Sequence, residues 1–133
     1  MSETESQLDL HSKESRASMA RLLMRLFELW QLSTAEQLSL LGLDTGSRTT
    51  LLRYRKGQPL ADHRDLLDRI GHLMAIHKYL RILFPNNIDL AHRWMQQANR
   101  DLGNQTPVAL VQQMGFPGLL LLRTYLEQQL TRP

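Results

Sequence analysis

An all-α fold follows from three features of this 133-residue chain. Leucine is abundant while valine, isoleucine and aromatic residues are scarce. Apolar residues recur at helical spacing along most of the chain. The breaks between those stretches carry helix-capping and helix-ending residues, with no strand-like alternation. The chain is long enough for one domain and, at 42% hydrophobic, can bury a core.

Residues 1–15 are polar and acidic with two isolated leucines, and they read as a disordered arm. A first helix is expected from about Arg16 to Gln31. Met19, Leu22, Leu23, Leu26, Phe27 and Trp30 share one face, and Arg21, Arg25 and Glu28 lie opposite. Ser33 and Glu36 have capping-box spacing and open a short helix, Thr34 to Leu41, that ends at Gly42. After a tight connection, Ser47 is placed to cap a further helix through about Lys56. Two short helices joined by a glycine-containing turn, behind a longer packing helix, are a helix-turn-helix arrangement.

The second helix of that pair reads RTTLLRYRK. With Leu51 and Leu52 assigned to the core, Arg48, Thr49, Thr50, Arg53, Tyr54, Arg55 and Lys56 face outward as candidate DNA-binding residues. Arginine can pair with guanine, threonine can touch a thymine methyl, and cations neutralise phosphate. Four cations and no acid lie between Asp44 and Asp62. Residues 16–60 carry seven basic and three acidic side chains, so the formal charge of +3 is concentrated there. An ordinary basic surface helix is the alternative. Beyond Gly57-Gln58-Pro59, the longest helix is expected from Asp62 to Phe84, with Asp62 or a neighbour as its cap. Leu66, Leu67, Ile70, Leu73, Met74, Leu80 and Phe84 supply its apolar face.

In the last third, Pro85-Asn86-Asn87 ends one helix and starts another. Ala91, Trp94, Met95 and Ala98 then form a stripe on a helix that stops at Gly103. Thr106 and Pro107 start a short helix closed by Gly115, and Pro117 opens the last one. There Leu119, Leu122, Leu126 and Leu130 provide a core stripe. Leu120, Leu121 and Tyr125 add a second apolar strip, which belongs either to a fully central helix or to one pressed on another chain.

The order LRILFPNN, Trp94, Asn99, Gly103, Thr106-Pro107, a short helix, glycine and LLLLRTYL resembles the toxin-binding domain of Xre/MbcA/ParS-type antitoxins. The resemblance covers about half the chain, and such proteins commonly carry an Xre-like helix-turn-helix ahead of it. It implies an antitoxin of the RES/Xre class that binds and sterically occludes a RES-domain, NAD-degrading toxin encoded by an adjacent gene. It also implies repression of its own operon through operator DNA as a homodimer. The implied division is an arm over 1–15, a DNA-binding region over 16–60, and a toxin-binding region with the long linking helix over 61–133. Leu120, Leu121, Arg123, Tyr125, Glu127, Gln128 and Arg132 are the residues expected to meet the toxin.

Other chemistry finds no pattern. There is no cysteine, which excludes disulfides and thiolate metal sites and fits a reducing cytoplasm. His72 and His77 are five residues apart, about 140° around a helix, so they do not form a paired metal site. Asp68 and His72, four apart, can instead pair. No phosphate loop, dinucleotide fingerprint or hydrolase elbow occurs, and no run approaches the length of a membrane span. An enzyme and a cofactor are not expected. The competing functions are a repressor with no toxin partner and an interaction adaptor that does not bind DNA.

Overall fold

The computed structural model describes residues 9–132, and these hold seven α-helices and no β-strand. Asp9 O accepts the Ser12 N–H (3.1 Å), and the Ser12 hydroxyl accepts the Ser15 N–H, starting α1 (Lys13–Leu29). Helix α1 therefore begins inside the expected arm; the arm's residues 1–8 lie outside the described residues. Its buried stripe is Ala20, Leu23, Met24, Leu26 and Phe27, continued by Trp30. Leu22, expected on that stripe, is 60% exposed, because it stands about 100° from Leu23 at the stripe's centre.

Helix α2 (Thr34–Leu41) has the expected capping box: Ser33 Oγ accepts the Glu36 N–H, and Glu36 returns a carboxylate to the Ser33 N–H. Gly42 ends α2 in the left-handed region (φ 70°), where Leu43 N–H donates back to Leu38 O at 2.8 Å. Ser47 makes no side-chain cap bond. Asp44 caps earlier, its carboxylate accepting the Gly46 N–H at 3.0 Å, and a 3₁₀ turn (Thr45–Ser47) leads into α3 (Arg48–Arg55).

Helix α4 (Arg64–Leu83) is the spine, burying Leu66, Ile70, Leu73, Ile76 and Leu80. Of the two cap positions the sequence allows, the neighbour His63 holds it, without a side-chain bond, while Asp62 pairs with His11 Nδ1 at 2.8 Å. Along its length α4 packs on the final helix, and it also touches α1, α2 and α5.

Helix α5 (Ile88–Arg93) is capped by Asn87, whose Oδ1 accepts the Leu90 N–H. The single helix expected to reach Gly103 is instead broken. A 3₁₀ turn (Trp94–Gln96) is followed by extended backbone at Gln97 and an exposed Ala98. Asn99 N–H then pairs with Gln105 O at 2.9 Å, closing a loop around a second 3₁₀ turn (Arg100–Leu102). Thr106 and Pro107 start α6 (Pro107–Met114) as expected, and Gly115 separates it from α7 (Phe116–Thr131). A Cβ at Gly118 would lie 3.0 Å from Leu110 O, so glycine there permits the close α6–α7 packing.

Three polar seams tie the helices together. Gln96 donates to Glu36 Oε1 (3.0 Å) and to Gln31 O (3.3 Å). Arg69, only 12% exposed along its side chain, pairs with Asp65 (3.0 Å), reaches Leu40 O (3.5 Å), and stacks 5.2 Å over the Phe116 ring of α7. Arg123 of α7 lies 3.0 Å from His72 Nδ1 and over the Tyr79 ring, while Tyr79 donates to Glu127 at 2.9 Å. His72 therefore pairs with Arg123 across the helices, not with Asp68 one turn away.

Two stability predictions follow from these contacts. An alanine Cβ at Gly42 would adopt a left-handed backbone and approach Arg69 Cζ to 2.6 Å. Gly42→Ala should cost about 1–2 kcal/mol from backbone strain, and less than its full cost in an Arg69→Ala background. Equal losses in both backgrounds by urea unfolding would dissociate Gly42 from Arg69. The second prediction concerns acid. Burial lowers the His72 pKa below its ordinary 6.5, and the Arg123 charge reinforces this. His77 is lowered by burial as well, with Arg81 and His92 adding to it. The unfolded chain then binds more protons below pH 6.5, so acidification through that value removes stability. His11, raised by Asp62, acts oppositely and is common to both proteins compared. His72→Asn should lose less melting temperature than wild type between about pH 7.5 and 5.5; an identical loss would detach His72 from the effect.

Candidate nucleic-acid interface and partner-binding surface

Helix α3 rests on α1 and α2 through Leu51 and Tyr54. Tyr54, expected to face outward, is 4% exposed, and its hydroxyl accepts the Ala61 N–H at 3.5 Å. It follows Leu51 by three residues, so the same core contact covers both. Leu52 is the reverse case. Expected in the core, it is 49% exposed, because one residue past Leu51 turns about 100° away.

The outward surface of α3 is consequently Thr49, Leu52, Arg53 and Lys56, spaced i, i+3, i+4 and i+7, with Arg48 beside it. Thr50 is half-buried. Arg55 is exposed at its backbone turn but directs a guanidinium N–H to Gln37 Oε1 at 3.4 Å. Gln37 is itself held by donation to Leu32 O (3.0 Å), so this contact ties α3 to α2. No carboxylate interrupts the outward strip, and Asp44, the nearest acid in sequence, is engaged in capping. Such a surface can neutralise phosphates and place two apolar groups and an arginine against base edges.

The second surface lies on α7. Leu119, Leu122 and Leu126 are buried against α4 and α6, as expected. Leu120 and Leu121 are 41% and 40% exposed, so α7 is not a fully central helix. They form a concavity of about 350 Å³ with Thr124, Gln128, Tyr125 and the 3₁₀ loop residues Asp101 and Leu102. Tyr125 donates to Asp101 at 2.7 Å and stacks on Trp94 with ring centroids 6.3 Å apart, which fixes the wall of the concavity. Burial, then the hydrogen bond to Asp101, raises the Tyr125 pKa above its ordinary 10.0, so the hydroxyl remains a donor at neutral pH.

The residues expected on this surface thus divide. Leu120, Leu121, Tyr125 and Gln128 are brought together. Arg123 and Glu127 are not: they face α4, where His72 and Tyr79 hold them. Arg132 is exposed just beyond the end of α7. Thr124 and Asp101 were missed. Thr124 was findable, since it follows Leu120 by one helical turn; Asp101 comes from a loop whose approach to α7 has no local signal.

The histidines do not assemble a metal site among the described residues. His77 and His92 share a groove between α1, α4 and α5 with Arg25 and Arg81, whose charge opposes a cation. No helix there is long and apolar enough to cross a membrane.

Comparison with known proteins matches the two segments that carry these surfaces. The antitoxin Xre-like helix-turn-helix domain matches residues 9–75, which include α3. The antitoxin Xre/MbcA/ParS C-terminal toxin-binding domain matches residues 80–129, which include most of α7. The chain is also 28% identical over 105 residues to the uncharacterized protein y4oB of Sinorhizobium fredii, covering 79% of this chain and 78% of that one. The two matches together span most of the chain, the first of them half of it, and the chain belongs to the Xre/MbcA/ParS-type antitoxins.

Proposed function

We propose that this antitoxin neutralises a RES-domain, NAD-degrading toxin encoded by an adjacent gene, and that it represses its own operon as a homodimer. The observation that carries the toxin half is the leucine pair Leu120 and Leu121. They stand exposed beside an ordered tyrosine–aspartate wall, within the segment matched to a toxin-binding domain. Two adjacent leucines left in water beside an apolar concavity suit a partner that covers them. The RES identity of that partner rests on the sequence resemblance. Inhibition is steric in this reading: the chain covers the toxin, and NAD is the toxin's substrate, not a cofactor here. A cytoplasmic location follows from the same assignment, since both operator and toxin act there.

The DNA half rests on the strip Thr49–Lys56, and two copies would offer two α3 helices to half-sites on one operator. The same strip favours, as a second reading, a repressor that has no toxin partner.

Co-expression with the adjacent gene product tests the toxin half. Leu121→Glu should abolish co-purification and restore NAD loss while leaving the far-ultraviolet circular dichroism unchanged, since Leu121 is not part of the core. A variant that still binds and protects would remove α7 from the interface. For the DNA half, Arg48→Ala with Arg53→Ala should abolish binding to a duplex from the gene's own promoter. Each single variant should lower the slope of log affinity against log salt by about one if its arginine meets a phosphate. Unchanged operator affinity in the double variant would reject α3 as the reading helix.

A further inference from the structure

Helix α3 carries an exposed leucine in the middle of its cationic strip. Leu52 contributes little to the core, where Leu51 and Tyr54 make the contacts of α3. Its neighbours on the outward strip are Thr49 one turn before it, and Arg53 and Lys56 after it. Leucine favours the helix but adds nothing to phosphate contact, so on a strip that meets DNA it is an apolar group free to face a base edge. Among the edges that duplex DNA offers to such a strip, the apolar one is the C5 methyl of thymine in the major groove.

We propose that Leu52 is a specificity-determining residue of this antitoxin, which packs on a thymine methyl and makes operator choice depend on thymine at one position of each half-site. The proposal rests on the DNA-binding reading of α3 and adds to it the base that is read. Three features of α3 support it. The flanking cations, Arg48, Arg53 and Lys56, supply the attraction that holds the helix near the phosphates. The Thr49 γ-methyl lies one turn away on the same strip, so the apolar area is continuous enough for one or two methyl groups. Leu52 is also anchored in direction, because Leu51 next to it is 1% exposed and cannot rotate out. A second copy seated on this strip is the competing occupant, but an isologous contact would set Arg53 and Lys56 against their own counterparts.

Replacing thymine by uracil removes only the methyl group, and this makes the test specific. Duplexes selected from a random-sequence pool by the full-length protein are resynthesised with dU at each thymine in turn. Removing one well-packed methyl should weaken wild-type binding about fourfold, at one thymine per half-site. For Leu52→Ala that position should tolerate uracil, while affinity for the parent duplex falls by a similar factor; Leu52→Gln should behave alike. Both variants should keep the wild-type melting profile, because the side chain is half exposed. If wild type tolerates uracil at every position, or if both variants keep its full uracil penalty, the assignment to Leu52 is overturned while salt-sensitive DNA binding stands. If no duplex is enriched and no salt-sensitive binding is seen, the DNA-binding reading falls, and this inference with it. Loss of self-association in the Leu52 variants with uracil dependence unaltered would transfer the residue to a contact between copies.

Discussion

The Arg69 guanidinium ties three separate parts of this antitoxin to one another. It stands on α4, the only long helix that both halves share, and it is mostly removed from water. Asp65 neutralises it one turn away, the last turn of α2 offers it a carbonyl at Leu40, and the Phe116 ring at the start of α7 covers its face. A buried charge that lost any of these partners would be costly. The contacts therefore constrain the end of α2, the middle of the fold and the beginning of α7 together. Gly42 is part of the same constraint. Its missing side chain leaves the room that the guanidinium fills, and its left-handed backbone turns the chain toward α3.

From this arrangement each functional surface gains rigidity. Helix α3 is short and would not be stable alone. It is held by Leu51 and Tyr54 beneath and by Arg55 to Gln37 at its side, which leaves one narrow strip free for a ligand. Helix α7 is held on one side by buried leucines and on another by the Arg123–His72 and Glu127–Tyr79 contacts, so its exposed leucines are presented in a fixed orientation. The Asp101–Tyr125 hydrogen bond adds a loop to that presentation. Preorganised surfaces lose less conformational freedom on binding, and both surfaces here stand on helices whose backbones the core already restrains.

Much of this was legible in the residues. Ser33 with Glu36, Thr106 with Pro107, and the glycines at 42 and 115 mark real helix ends, because capping depends on a few neighbouring atoms. The leucine stripes of α4 and α7 identify core faces for the same local reason. The errors occur where a helix could turn either way. Leu51 and Leu52 are chemically identical neighbours, and only packing against α1 and α2 decides which one is buried. Giving the core to Leu51 and Leu52 turns Tyr54 outward, but its ring follows Leu51 onto the buried face. The stripe from Ala91 to Ala98 suggests one helix, but a backbone pair between Asn99 and Gln105, six positions on, competes with helical bonds there.

By itself, the sequence determined that the chain is helical, where most helices begin and end, where positive charge collects, and which family it resembles. Each of these depends on interactions between residues a few positions apart, so the information is complete in a short window. Only the tertiary structure decided that Leu52 faces outward, that Arg123 and Glu127 are held against α4, and that Asp101 joins the α7 surface. It also revealed Arg69 as the tie between α2, α4 and α7. Those outcomes depend on which elements meet across tens of residues, and a side chain's periodicity does not say what will be packed against it.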